Sequence, residues 1–294
     1  MENKKSLYAD LSLLIVAIIW GSGFVVTKNA LDVMSPFYIN GFRFIIAAVA
    51  VNIIFFKRLK EATKLDIKAG IIVGFFMFLG FAFQTVGLKY TTAGVQAFIT
   101  ASNVVMVPFL YWFISKKKPD NFEMFGAFLC FIGIGILSFD HSLGLGIGEL
   151  LTFLCAIGFA LQIVAVGYFA KDTDPIVLAT VQLYFSAILS FVIAFIFEPR
   201  ITNITPSVVL PILYLGLFSS AIAFVIQNVA QVYTTSTHAA IILSLESVFG
   251  SIFSVILLNE PVNAKFLIGC FAILISVIGS ETKFEFLRLR KKNP

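Results

Sequence analysis

Ten stretches of the chain run apolar for about twenty residues each, parted by short polar or basic segments: residues 8–27, 37–56, 69–88, 94–115, 122–138, 148–169, 176–197, 208–230, 238–258 and 263–280. About twenty such residues make one helix able to cross the hydrocarbon core of a bilayer. The runs are continuous, as in Leu11–Val26, whereas barrel strands alternate over about ten residues. The pattern predicts an all-α polytopic membrane protein with ten transmembrane helices. The basic segment Met1–Lys5 precedes the first run as in a signal peptide. That run is too long for a typical h-region and no small-x-small site follows before Lys28, so it reads as the first span.

Composition agrees. Of 294 residues 59% are hydrophobic and 13% charged, against about a quarter charged in soluble domains. Little chain is left between the runs for a soluble domain. Cys130, Cys155 and Cys270 fall inside expected spans, with no CxxC and no Cys/His cluster, so neither a disulfide framework nor a metal site is expected.

The net charge of +5 matters less than where it sits. With the N-terminus inside, sixteen Lys and Arg fall on the inner side, in the clusters Lys4–Lys5, Lys57–Lys68, Lys116–Lys118, Lys171 and Lys283–Lys292. Only Lys28, Lys89, Arg200 and Lys265 fall outside, and Arg43 lies within a span. Cytoplasmic loops are enriched in Lys and Arg, so both termini are expected to be cytoplasmic. The clusters flank spans and read as topology determinants and anionic-lipid contacts, not as nucleic-acid surfaces.

The chain also repeats. At a constant offset of 143, Gln84 falls on Gln227, Tyr90-Thr91-Thr92 on Tyr233-Thr234-Thr235, and Ala97 on Ala240. Gly21 meets Gly158, Pro36 meets Pro175, and Arg43 meets Gln182 at slightly shorter offsets. Residues 1–142 and 143–294 are thus expected to be two five-helix repeats. Five is odd, so the second copy is inverted. Inverted repeats build alternating-access carriers, with the substrate site near the midplane between the copies.

Several short segments resemble the EamA type of the drug/metabolite transporter superfamily: Trp20-Gly21-Ser22-Gly23-Phe24, Arg43-Phe44, Leu88–Ala93, Tyr233–Ala240, Ser244-Leu245-Glu246 and Leu257–Pro261. The resemblance covers essentially the whole chain. It implies two five-helix inverted repeats around a central cavity, and movement of small metabolites, often export of amino acids or related compounds. Two positions depart from the family pattern. Ser247 follows Glu246 where proline is common, which puts a helix kink there in question. Lys116–Lys118 replace a Gly-Glu-Arg type junction.

Polar groups inside spans are costly and mark function. Glu246, mid-span, is a candidate for binding a substrate amine or carrying a proton, and its repeat partner is Asn103. Gln96, Thr100 and Asn103 recur at i, i+4 and i+7 as a cavity-facing stripe. Gln84, Gln162, Gln227 and Asn228 serve equally well as substrate ligands or as links between helices. Trp20, inside the first span, is a cavity wall or gate. Arg43 could snorkel outward, pair with an acid, or attract a carboxylate. His238 is a second proton-coupling candidate. Ser244, Ser247, Ser251 and Ser254 form a small-residue packing stripe, Gly70 and Gly74 fit the same pattern, and Tyr90 and Tyr233 suit an aromatic belt.

These readings favour a secondary transporter of the cytoplasmic membrane without a cofactor, carrying an amino acid or related zwitterionic or amphipathic compound. Protons are possible partners, and monomer and homodimer are both open. No P-loop is present. A channel or structural membrane subunit is the alternative. An intramembrane enzyme would need a nucleophile–base or metal constellation that the sequence does not display.

Overall fold

The structure, a computed structural model, describes residues 2–116, 118, 121–138, 146–201 and 206–282. The expected boundary between residues 142 and 143, Lys117 and the basic residues Lys283–Lys292 lie outside the described residues.

Every regular element among the described residues is helical. In chain order these are α1 (Glu2–Ala30), α2 (Pro36–Ile54), the short α3 (Phe56–Lys60), α4 (Lys64–Gly87), α5 (Ala93–Ala101), α6 (Asn103–Ser115) and α7 (Asn121–Ser138). There follow α8 (Ile147–Phe169), α9 (Pro175–Phe197), α10 (Pro206–Gly216), a π-helical turn over Leu217–Ile222, and α11 (Ala223–Ala230). The last three are α12 (Ser236–Ser244), α13 (Glu246–Leu258) and α14 (Ala264–Thr282). Eight helical segments among the described residues are long and apolar enough to cross a membrane, counting α5–α6, α10–α11 and α12–α13 as one each. Met124–Ile134 in α7 and Ala264–Ser276 in α14 are shorter apolar stretches. Their surface is correspondingly greasy: Ile53, Phe113, Leu210 and Phe197 are each more than 70% exposed. Such a surface suits lipid, not water.

Local chemistry sets the helix ends. Thr63 and Asp66 form a capping box at the start of α4, each bonding the other's backbone N–H. Pro36 and Pro175 open α2 and α9, where the missing N–H costs nothing. The Asp174 carboxylate accepts from the N–H groups of Ile176 and Val177. The Asp174 N–H in turn donates to Asp66 and ties α9 to α4.

Two of the expected single spans are interrupted. The run 94–115 breaks into α5 and α6 at Ser102, and the run 238–258 into α12 and α13 at Leu245. Both residues have φ −61° and ψ −13°. At each, the N–H reaches back only three residues, Ser102 to Ile99 and Leu245 to Ile242. Both second segments end on a left-handed residue, Lys116 and Asn259. Every one of these landmarks is separated from its counterpart by 143 positions.

Helix packing is close. α4 lies against α8 and α9, α2 against α9, α7 against α14, α1 against α11 and α13, α13 against α5, and α6 against α8. Small residues sit at the contacts. A Cβ at Gly158 would stand 2.7 Å from the Gly80 nitrogen, and one at Gly21 2.7 Å from the Phe249 Cβ. Gly70 and Gly74 face Val181 and Gln182 of α9 in the same way.

Candidate functional site

The two interruptions bring their first helical residues, Asn103 and Glu246, to one internal cavity. Glu246 lies in the first turn of α13, where the positive end of the helix dipole favours a carboxylate. Asn103 holds the same place on α6. Both are nearly buried, at 7% exposure.

Arg43 on α2, only 3% exposed, lines the same cavity. The π-helical turn explains how a guanidinium is held there. Its extra residue turns Ser219 and Ser220 toward α2, and the two hydroxyls accept from Arg43 Nη2 and Nε, each at 3.0 Å. The guanidinium carbon lies 4.5 Å from the centre of the Phe81 ring, within cation–π range. The Ser219 carbonyl accepts from the Trp20 indole at 2.9 Å. Phe81 packs edge-on against Phe44, Phe159 and Phe224, and Trp20 lies beside Phe224. The cation is therefore enclosed by aromatic faces and two hydroxyls. Arg43 neither snorkels outward nor pairs with an acid among the described residues.

The amides complete the lining. Gln162 and Gln227 exchange side-chain hydrogen bonds at 3.2 and 3.4 Å, linking α8 to α11. Gln162 also donates to Gln182 of α9. Gln96 donates to the Gln84 carbonyl at 2.7 Å, while its own Oε1 has no partner among the described residues. Of the ten residues expected at a substrate site, Trp20, Arg43, Gln84, Gln96, Asn103, Gln162, Gln227 and Glu246 line this cavity. Two turn elsewhere. Thr100 is buried toward α8, its hydroxyl 3.9 Å from the Cys155 sulfur, and Asn228 bonds back to the Phe224 carbonyl of its own helix. The side chain of His238 lies outside the described residues. The serines at 244, 247 and 254 bond back to carbonyls three residues earlier, as a packing stripe would.

Sequence reasoning missed Ser219, Ser220 and Phe81. The serine pair was a visible signal, two adjacent hydroxyls within an apolar run. Phe81 was indistinguishable among 34 phenylalanines.

The volume open to the centre of a water molecule is about 40 Å³, enough for roughly three waters at the ~10–15 Å³ each requires. Beside Leu88, which lines the cavity, neighbouring helix ends are tied together. Lys28, in the last turn of α1, donates to the carbonyls of Leu88 and Thr91 at 2.6 and 2.7 Å. The Glu260 carboxylate, after α13, accepts from the N–H groups of Ala93 and Gly94 at 2.7 and 2.9 Å. Among the described residues no group of three or more His, Cys, Asp or Glu could hold a metal ion.

The EamA-like transporter family model matches this chain twice, over residues 7–139 and 146–281. An uncharacterized transporter of Archaeoglobus fulgidus is 41% identical over 94% of this chain and 87% of its own length. The WAT1-related protein At3g02690, chloroplastic, of Arabidopsis thaliana is 26% identical over 88% of this chain and 66% of its own. The transporter YoaV of Bacillus subtilis is 24% identical over 94% and 97%. A solved crystal structure aligns with a TM-score of 0.72 at 18% identity, covering 95% of this chain and 99% of that one, a likeness of fold alone.

Proposed function

The chain belongs to the EamA-like transporter family of the drug/metabolite transporter superfamily, and from that premise we propose that it is a secondary transporter exporting an amino acid or related zwitterionic or amphipathic metabolite by alternating access. The reading holds that ten spans form two inverted five-helix repeats, residues 1–142 and 143–294, in the cytoplasmic membrane with both termini inside.

One observation carries it: Asn103 and Glu246, 143 positions apart, start the second segments of two interrupted helices and line one cavity together with Arg43. Broken helices whose ends meet near the midplane are how inverted-repeat carriers build substrate sites. A zwitterion finds an acidic partner for its ammonium at Glu246 and a cationic one for its carboxylate at Arg43. The pairing of packing contacts supports the symmetry. α4 on α8 answers α11 on α1, and α13 on α1 answers α6 on α8.

In this cycle Glu260 and Lys28 close the outer end, and outward opening breaks their four hydrogen bonds. Glu246 takes up either a proton or the substrate amine. Counterflow in proteoliposomes tests the reading: preloaded unlabelled amino acid accelerates uptake of labelled amino acid, and the flux saturates. A non-saturating conductance without counterflow returns the chain to the channel alternative.

A further inference from the structure

A second cavity lies outside the central site, between α6, α7 and α8. It is larger, about 310 Å³, and apart from Ser102 its walls are apolar, including Met106, Leu110, Ala127, Phe131 and Phe153. Phe131 is 56% exposed, so the cavity opens on the outer, lipid-exposed surface of the bundle. It is a groove in the wall of a membrane protein.

Two of its lining positions are bulkier in the second half. At the offset of 143 Met106 corresponds to Phe249 and Ala127 to Cys270, both larger. There α13 seats directly on α1, with the Phe249 Cβ and the Gly250 nitrogen against Gly21. In the first half α6 lies against α8, and the groove runs beside that contact, past Met106 and Ala127. The helix end beyond it also differs in charge. α6 lines the groove as far as Leu110 and ends at Ser115, and Lys116 and Lys118, both exposed, follow where the second half has Asn259 and Pro261.

The dimensions decide the occupant. From Ser102 to Lys116 is fourteen residues, about 21 Å along a helix at 1.5 Å per residue. One bilayer leaflet with its headgroup region is about 20–22 Å deep. A lipid with its phosphate at the lysines therefore lays one acyl chain along the whole groove, ending beside Ser102. We propose that this groove is a binding site for an anionic glycerophospholipid, held by its phosphate at Lys116 and Lys118 and by an acyl chain between α6, α7 and α8. A zwitterionic lipid fills the groove equally well but gains less at the mouth. Each lysine near an anionic headgroup favours it roughly fivefold, so the pair gives a preference on the order of 30-fold. The site touches no residue of the central cavity and does not rest on the transport reading.

The test uses the full chain in a neutral detergent with added phosphatidylglycerol or phosphatidylcholine, read by melting temperature and by native mass spectrometry of retained lipid. Phosphatidylglycerol is expected to raise the melting temperature and to remain bound at substoichiometric concentrations, with phosphatidylcholine much weaker. Lys116→Gln with Lys118→Gln removes the preference while leaving the lipid-free melting temperature in place. Met106→Phe, which copies the second half, removes retention of both lipids. Equal retention of the two lipids by the unaltered chain overturns the proposal, as does a preference that survives the lysine replacements. If Met106→Phe fails to fold, the lysine pair alone decides.

Discussion

The two interrupted helices share a backbone and differ in chemistry. α5–α6 and α12–α13 break at residues with the same dihedrals and end at left-handed residues in equivalent places. Yet the first residue after the break is the amide Asn103 in one and the carboxylate Glu246 in the other. Beyond the second segment stands Lys116–Lys118 in one and Asn259-Glu260-Pro261 in the other. Duplicated geometry supplies the cavity, and divergent side chains make its two walls unequal. A neutral amide cannot take up a proton or balance an ammonium, so the proposed cycle confines coupling to the α13 wall.

The largest expected effect follows from that inequality. Glu246→Gln makes the two walls alike, and coupled transport in proteoliposomes falls by on the order of 100-fold, within the range for loss of one acid–base group, with the melting temperature held. Unchanged flux and unchanged pH dependence return Glu246 to a packing role. Asn103→Gln, which stays neutral, costs far less.

Next comes the cation that lines the same cavity. Arg43→Lys keeps the charge but loses the fork that bonds Ser219 and Ser220 together. Stability falls by about 1–3 kcal/mol, the usual cost of leaving buried polar groups unpaired, and apparent substrate affinity falls with it. A lysine variant with full stability and affinity separates Arg43 from the site.

The ends provide a third contrast. Glu260→Gln weakens a charge-assisted bond pair, worth about 1–2 kcal/mol for a half-buried group. A cysteine placed at Leu88 is then labelled faster from the outside. No change in labelling removes Glu260 from the gate.

Gly21→Ala and Gly158→Ala probe two different contacts made from matching positions, α1 on α13 and α8 on α4. Each forces a Cβ to within 2.7 Å of a neighbour, at about 1–3 kcal/mol for overpacking. Both variants are expected to lose stability in denaturation, and an unchanged curve for either shows that its contact is not close-packed.

The smallest effect is at Glu198, just after α9. Burial raises its carboxyl above the ordinary range, although the N–H groups of Phe37 and Tyr38 donate to it and pull the other way. A raised acid favours the folded state when protonated, so this contribution is present at low pH and lost as pH rises through the Glu198 titration. Glu198→Gln flattens that slope in melting curves.

The all-helical fold, eight of the ten expected spans and most of the polar lining were legible because burial in lipid imposes one rule on every residue of a helix. The breaks at Ser102 and Leu245 were not. Neither carries a proline or glycine, and Pro108 lies six residues beyond the first. Tertiary packing sets them. The polar stripe Gln96–Thr100–Asn103 failed at its middle member for a related reason. Four residues along a helix turn it by about 40°, and α5 is wedged between α13 and α8, so that small rotation carries Thr100 from the cavity to Cys155. The π-helical turn was equally hidden, although the adjacent serines it exposes were in view.

The central claim is that two inverted halves open one cavity alternately. Spin labels at Tyr90 and Val262 report one end, and labels at Tyr233 and Lys118 the other. Electron–electron distance measurements in lipid, with and without substrate, are expected to show the two distances moving in opposite senses. Both distances widening together, or neither changing while transport proceeds, contradicts the account.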